Sequence, residues 1–374
     1  METAKGKDTI TILAVGDISL ISNKSSHPFK KIIPILKKKD ILFGNLETAL
    51  SDSSYRSEKA VALVSSASNV KYLKDADFDV LNIANNHILD AHDQGLRETI
   101  KTLNENKLNH IGVKCNRSHE TSIILQRNGI SIGFAGYDNY GYVNNERGIQ
   151  INKINQAAII EDIRKLRRSC DFVVISLHWG IENIFLPSPD QTKLARTLID
   201  NGATIILGHH SHTVQGIERY NNGLIVYSLG NFQFPPGFNH EPLKNRTRNS
   251  KSIIVKLIIG KKGLQSYSLI PIHIDNDFFP EKCNDEEGCR LLDFISKIGA
   301  MIENNQVNNS MWFEHIAHEY LTSNGRAFLL RIKKYGVKHL WWFLKWLISP
   351  FVLKCYTGLI RSKLRLKQRV MINT

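Results

Sequence analysis

The chain reads as an α/β fold in which two β-sheets are flanked by helices, and three observations predict it. Short apolar, β-branched runs recur, among them Ile10–Val15, Ile41–Phe43, Phe172–Leu177 and Thr204–Leu207, and such runs belong to strands buried on both faces. Helical segments separate several of these runs while Asn-Gly turns join others as hairpins, so parallel crossover units and antiparallel pairs are mixed. Almost every run also ends in side chains able to hold a metal or a proton: Asp17, Asn45 with Glu47, Asn86 with His87, His178, and then His209, His210 and His212. In open α/β sheets ligands bind outside the carboxyl ends of the strands, which is where these residues collect.

In chain order, Ile10–Val15 is a strand that stops at Gly16-Asp17, the first candidate ligand. Phe29–Lys38 reads as a basic helix, and Ile41–Phe43 as a second strand delivering Asn45 and Glu47. Ser51–Ser68 is polar and aperiodic, a surface loop whose Arg56 and Lys59 could grip an anionic substrate. Asp79–Ala84 is the third strand, with Asn86, His87 and Asp90 beyond it, followed by a helix over Gln94–Asn106 and a short strand at Ile111–Val113. Ser122–Gln126 and Ile130–Gly136 form a hairpin across Asn128-Gly129, because Asn-Gly supplies the positive φ values of a tight turn. A helix over Asn155–Arg168 leads to strand Phe172–Leu177 and His178, and a helix over Asp190–Asn201 leads to strand Thr204–Leu207 and the three histidines. Two further hairpins lie at Gly216–Tyr227 and Ser252–His273. Residues 1–280 are therefore expected to form one domain, and residues 281–374 a helical extension with helices over Glu286–Glu303, Met311–Leu321 and a long segment from Arg326.

Hydrophobic content of 42% and charged content of 22% are those of an ordinary globular protein and exclude the disordered class. The five cysteines are odd in number and form no CxxC pair, which excludes a thiolate zinc site and argues for a reducing compartment. The N-terminus lacks the continuous apolar stretch of a signal peptide, so the expected location is the cytoplasm, peripheral to a membrane. Net charge is +14, but twelve Lys and Arg and no Asp or Glu follow Gly325, leaving +2 for the rest. The basicity belongs to the tail rather than to the strand tips, so nucleic acid is not the expected partner. Tyr335–Ile360 is apolar and aromatic, with Trp341, Trp342 and Trp346, but Lys345, Pro350 and Lys354 interrupt it. That pattern predicts an interfacial rather than a spanning helix, with residues 326–369 meeting either a membrane surface or protein.

The tips offer a mixed oxygen and nitrogen donor set without sulfur, which suits Mn, Fe or Zn. The donors outnumber the three or four that one ion takes, so two divalent ions are expected, with Glu47 as the shared carboxylate. Such a pair activates water and polarises a phosphoryl or carbonyl oxygen. Asn45, Arg56, Lys59, Asp90, Glu182 and Asn231 are expected to position substrate or support the ligands; for Glu182, Asn231 and Gln191 the alternative is capping and turn hydrogen bonding.

GDISL (16–20), GNLETAL (44–50), ANNHILDAHDQGL (84–96), SLHWGIEN (176–183), LGHHSHTVQGIE (207–218) and YSLGNF (227–232) resemble, in order, the motif series of the CapA family, which is similar to calcineurin-like metallophosphoesterases. The resemblance covers about residues 10–235 and implies a calcineurin-like sandwich. It implies one metal on Asp17, Glu47 and His212, and a second on Glu47, Asn86, His178 and His210. His87 would then be the general acid, catalytic together with Glu47, and His209 would lie behind the ligands or face substrate. Two positions depart from the pattern: Ser19 stands where the phosphoesterases carry a histidine, and Asp90-Ala91-His92 replaces Asp-Tyr-Gly, with His92 expected to be a loop residue. The implied activity is metal-dependent hydrolysis of a phosphoester or of an anionic peptide-like polymer such as poly-γ-glutamate. A peptide epimerase using the same centre, and a non-catalytic accessory of polymer synthesis at the membrane, are the two other readings.

Overall fold

In the computed structural model, which describes residues 8–21, 26–59, 61–115, 121–139, 141–144, 147–235 and 247–372, two large β-sheets pack face to face with helices outside. One sheet has eight strands, and its central member, Thr9–Ile18, runs parallel to Ile41–Leu46 and antiparallel to Lys251–Gly260. The other has six, including the parallel set Ile130–Asp138, Phe172–His178, Ile205–His209 and Gly223–Val226. Ile12, Phe43, Phe134, Ile205 and Val255 fill the space between the sheets. Helices Val70–Asp75 and His92–Glu105 cover the outer face of the first sheet; helices Gln156–Arg167 and Pro189–Asp200, with the C-terminal helices, cover the second. Burial on both faces is the physical reason the strands read as unbroken apolar runs. The expected two-sheet α/β architecture is the one observed.

Register carries the tips to one rim. Asp17 lies opposite both Asn45 and Asn231, Asn45 opposite Asn82, and His178 opposite His209. Gly16 makes the pairing of Asp17 with Asn231 possible, since a Cβ there would sit 1.9 Å from the carbonyl oxygen of Gly230.

Several boundaries differ from expectation. The Phe29–Lys38 helix is reduced to Ile33–Leu36, because Pro34 is tolerated only in a first turn. Ile111–Val113 is split at Gly112, whose φ of +88° turns the chain out of the large sheet; Asn109–Ile111 stays in it and Val113–Lys114 joins a separate three-stranded sheet. The Ser51–Ser68 loop contains a short strand, Val64–Ser65, paired with Ala49–Leu50. Gly325 does not interrupt the tail: Asn309–Tyr335 is one helix, the roughly 1 kcal/mol penalty of an internal glycine being outweighed by packing. Tyr335–Ile360 is not one helix either. Gly336, at φ +85°, ends the long helix, and Leu340–Leu347 and Pro350–Ile372 fold back along it as a hairpin. The indole of Trp312 donates to the carbonyl of Leu186 at 3.0 Å, and Ile316, Ala317 and Cys355 are buried with it against the second sheet.

Candidate metal centre

Each site residue is delivered by the end of a strand or by the tight loop after it. The loop following Ile205–His209 holds His210 and His212 at φ +89° and +56°, a left-handed conformation that costs a non-glycine residue about 1–3 kcal/mol and aims both rings back across the rim. The amide of His210 donates to Asp17 Oδ2 at 3.3 Å, tying that loop to the first sheet.

Two groups of donors result, one made by Glu47, His178 and His210 and the other by Asp17, Glu47 and His212, with the ligand atoms of each within 4.8 Å of one another. Glu47 belongs to both. His178 Nε2 lies 3.4 Å from Glu47 Oε1, 3.1 Å from His210 Nδ1 and 2.7 Å from Asn86 Oδ1, so Asn86 completes the first group. His212 Nδ1 is 3.5 Å from Asp17 Oδ2 and its Nε2 3.9 Å from Glu47 Oε1. Glu47 is fully buried, yet neither carboxylate oxygen has a hydrogen-bond partner. Buried polar groups in folded proteins are as a rule hydrogen-bonded, and a carboxylate with both oxygens unbonded between two imidazole-bearing groups fits a cation.

The electrostatics agree. Burial, reinforced by Asp17, pushes the Glu47 carboxyl well above its usual range. Burial, with repulsion from His210, lowers His178 well below its ordinary value, and burial outweighs the pull of Glu182 to lower His210 to about 4; the neutral imidazole is the ligating form. Burial opposes a charge on His212, but Glu47 and Asp17 overcome it and push the imidazole up to about 10. Asp17 is raised by burial but held well below its ordinary value by His209 and His212.

Around these groups, Asn45 donates to Asp17 Oδ1 at 2.8 Å and approaches His178 Nδ1 at 3.3 Å. Asn231 Oδ1 lies 2.9 Å from His212 Nδ1. His209 is buried behind Asp17, its Nδ1 3.3 Å from Oδ1. His87 Nδ1 meets Asp90 Oδ2 at 2.5 Å, leaving Nε2 4.0 Å from Glu47 Oε1. Burial lowers the pKa of His87 although Asp90 raises it. Asp90 also accepts from Lys59 Nζ at 2.6 Å and from the amide of Leu63 at 2.7 Å, and Lys59 reaches the carbonyl of Asn86. Glu182 stands at the solvent-open edge; the protein crowding its carboxyl raises its pKa, but His210, His212, His87 and Lys59 outweigh that. Arg56 turns onto the carbonyls of Ser53 and Tyr55 in its own loop and is not brought to the centre. Gln191 closes a capping box with Ser188, the structural role rather than the functional one. His92 begins a helix at φ +56°, its ring against Tyr55.

Three asparagines escaped the sequence reading. Asn82 donates to Asn45 Oδ1 at 2.8 Å, Asn85 accepts from the amide of His87 at 3.1 Å, and the carbonyl of Asn249 accepts from Asn231 at 3.2 Å. Asn82 left a signal, being a polar residue inside the apolar run DVLNIA; Asn249 left none.

Residues 11–236 match the family described as bacterial capsule synthesis protein PGA_cap. The chain belongs to this family. The capsule biosynthesis protein CapA of Bacillus anthracis is 31% identical over 287 residues, covering 71% of this chain and 68% of that one. The PGA biosynthesis protein CapA of Bacillus subtilis is 33% identical over 253 residues, covering 66% and 64%. Among solved structures, the calcineurin-like phosphoesterase YfkN from Bacillus subtilis matches with a TM-score of 0.41 at 16% identity, over 80% of this chain and 98% of that one. In this PGA_cap chain the match takes in every member of the two donor groups and stops short of the helical tail.

Proposed function

We propose that the chain is a metal-dependent hydrolase of a phosphoester or of an anionic, peptide-like polymer of the capsule or poly-γ-glutamate type. The observation that carries this reading is Glu47, buried without a hydrogen bond and common to both donor groups. Asp17, Glu47 and His212 would hold one divalent ion, and Glu47, Asn86, His178 and His210 a second, drawn from Mn, Fe or Zn. When bound, such ions supply an activated water and polarise the phosphoryl or carbonyl oxygen.

The remaining roles fall to the chain itself. Asp90 accepts from His87 Nδ1 and so orients Nε2 toward the centre, where it can hand a proton to the leaving oxygen or nitrogen. With Nδ1 donating to Asp90, Nε2 carries a proton only in the imidazolium form, which burial opposes and Asp90 favours. Lys59 lies between Asp90 and the carbonyl of Asn86, holding this acid against the second ligand group while offering positive charge to an anionic substrate. Asn45 and Asn231 fix the faces of His178 and His212.

The test is metal content alongside hydrolysis of a generic phosphodiester and of poly-γ-glutamate, in the wild type and in Glu47→Gln and His210→Ala variants. The expected result is about two ions in the wild type, with metal and hydrolysis lost together in both variants. Hydrolysis that persists without metal would sink the proposal. Metal retained with neither substrate cleaved, and solvent deuterium entering a peptide Cα, would replace it with epimerisation.

A further inference from the structure

Ten of the thirteen large hydrophobic side chains exposed among the described residues lie between Leu329 and Leu364. Folding has not simply left them over. In the hairpin that Leu340–Leu347 and Pro350–Ile372 make with the long helix, this returning arm packs its inner face on that helix, with Trp346 on Phe328 at 5.4 Å between ring centroids, Phe351 on Tyr320 at 4.7 Å and Phe351 on Phe313 at 5.3 Å. Its outer face carries Trp341, Trp342, Leu344, Ile348, Leu353 and Ile360, all open to solvent. A packed inner face means that the outer one is presented in a set shape, and contiguous apolar surface of this kind marks an interaction site.

Charge decides the occupant. The segment after Gly325 holds twelve Lys and Arg and no Asp or Glu; the side chains of Arg365, Lys367 and Arg369 lie outside the described residues. Lys345 sits over the rings of Trp341 and Trp342, at 4.7 and 5.6 Å, which places an ammonium beside two indoles. Indole at the apolar–polar boundary with cations alongside matches acyl chains and anionic headgroups together. Among the described residues no single helix is long and apolar enough to span a bilayer; the two arms Val337–Leu347 and Pro350–Leu364 reach that length and apolarity only together, across a 59° bend. Lys345, Lys354, Arg361 and Lys363 are spread along those arms, so lying in the interface satisfies more groups than crossing it.

We propose that the outer face of this hairpin seats the protein on the surface of an anionic lipid bilayer. The proposal goes beyond the hydrolytic reading and shares no residue with the metal centre. It also orients that centre. Tyr335 Oη donates to the carbonyl of Lys59 at 3.2 Å and Lys338 pairs with Glu58 at 3.5 Å, so the base of the hairpin rests on the loop that carries Lys59 to Asp90. The metal centre therefore lies beside the docking face rather than at the far end of the molecule.

The test is flotation of the full-length protein with phosphatidylcholine vesicles prepared with and without phosphatidylglycerol, beside a Trp341→Ser/Trp342→Ser/Ile348→Ser variant and a Lys345→Glu/Arg361→Glu variant. All five positions are exposed, so both variants are expected to melt with the wild type. Wild type should bind the anionic vesicles at least about tenfold more tightly than neutral ones; the glutamate variant should lose about tenfold or more through its two reversed charges, and the serine variant about tenfold or more through the three large apolar side chains it removes from the interface. Binding that is equal on both vesicle types, or unchanged in the serine variant, overturns the proposal. So does a concentration-dependent dimer in sedimentation that the serine variant abolishes, because a second copy would then own the face.

Discussion

Replacing Glu47 by leucine should change the sign of its effect on stability according to whether metal is present. In a chelator, the wild type buries two carboxylate oxygens with no hydrogen-bond partner, 0% exposed and close to Asp17. Removing unsatisfied buried acceptors while keeping the volume returns about 1–3 kcal/mol. At about 2 °C per kcal/mol for a chain of this size, the metal-free variant should melt about 2–6 °C above the metal-free wild type. With Mn²⁺ or Zn²⁺ the order should reverse. Loss of even an outer partner of a metal ligand weakens affinity about 10–100-fold, and Glu47 belongs directly to both donor groups, so the loss should be about 100-fold or greater. Metal at 100 times the wild-type Kd adds about 2.7 kcal/mol for each of the two proposed sites but only about 0.4 kcal/mol per site in the variant, a difference of about 4–5 kcal/mol that exceeds the metal-free gain. Thermal melts with and without chelator, with elemental analysis of the same samples, read both halves. A variant that melts below the wild type in chelator and still rises with metal would refute the reasoning, since Glu47 would then be a satisfied structural residue.

Three further outcomes are expected. His87→Asn should lower kcat about 10²–10⁴-fold on an ester with a poorly acidic alcohol, much less on a nitrophenyl ester whose leaving group needs no proton, and leave metal content unchanged; equal losses on both esters would remove the proton-donor role. His212, pushed up to about 10, is protonated in the metal-free chain at neutral pH, so metal uptake should expel its proton and metal affinity should fall as pH falls. Calorimetry in buffers of different ionisation enthalpy checks this, and zero proton release would contradict it. Trp312→Ala should destabilise by about 3–5 kcal/mol, seen as a lower melting temperature, because the indole is 6% exposed and donates to Leu186; an unchanged melt would show that the tail is an independent appendage.

Fold class and the members of the centre were legible in the residues for a common reason. A strand buried on both faces must be apolar throughout, so a polar residue at its end stands out, as Asp17, His178 and His210 do. Period and punctuation located most strands and helices, but they could not weigh local against tertiary forces. Pro34 confined a helix that charge pattern alone extended, Gly112 split a strand between two sheets, and Gly325 broke nothing because packing outweighed it.

What the sequence determined by itself was the alternation of strand and helix, the identity of the side chains at the tips, and the concentration of positive charge after Gly325. Only the tertiary structure decided that Glu47 has no hydrogen-bond partner, that Arg56 turns away while Lys59 reaches Asp90, and that the aromatic tail covers the second sheet with one face and leaves the other bare. The physical reason is distance along the chain. Glu47 meets His178 and His212 across more than a hundred residues, and whether a buried carboxylate is satisfied depends on which distant donors arrive, a property of the packed sheets that no local pattern encodes.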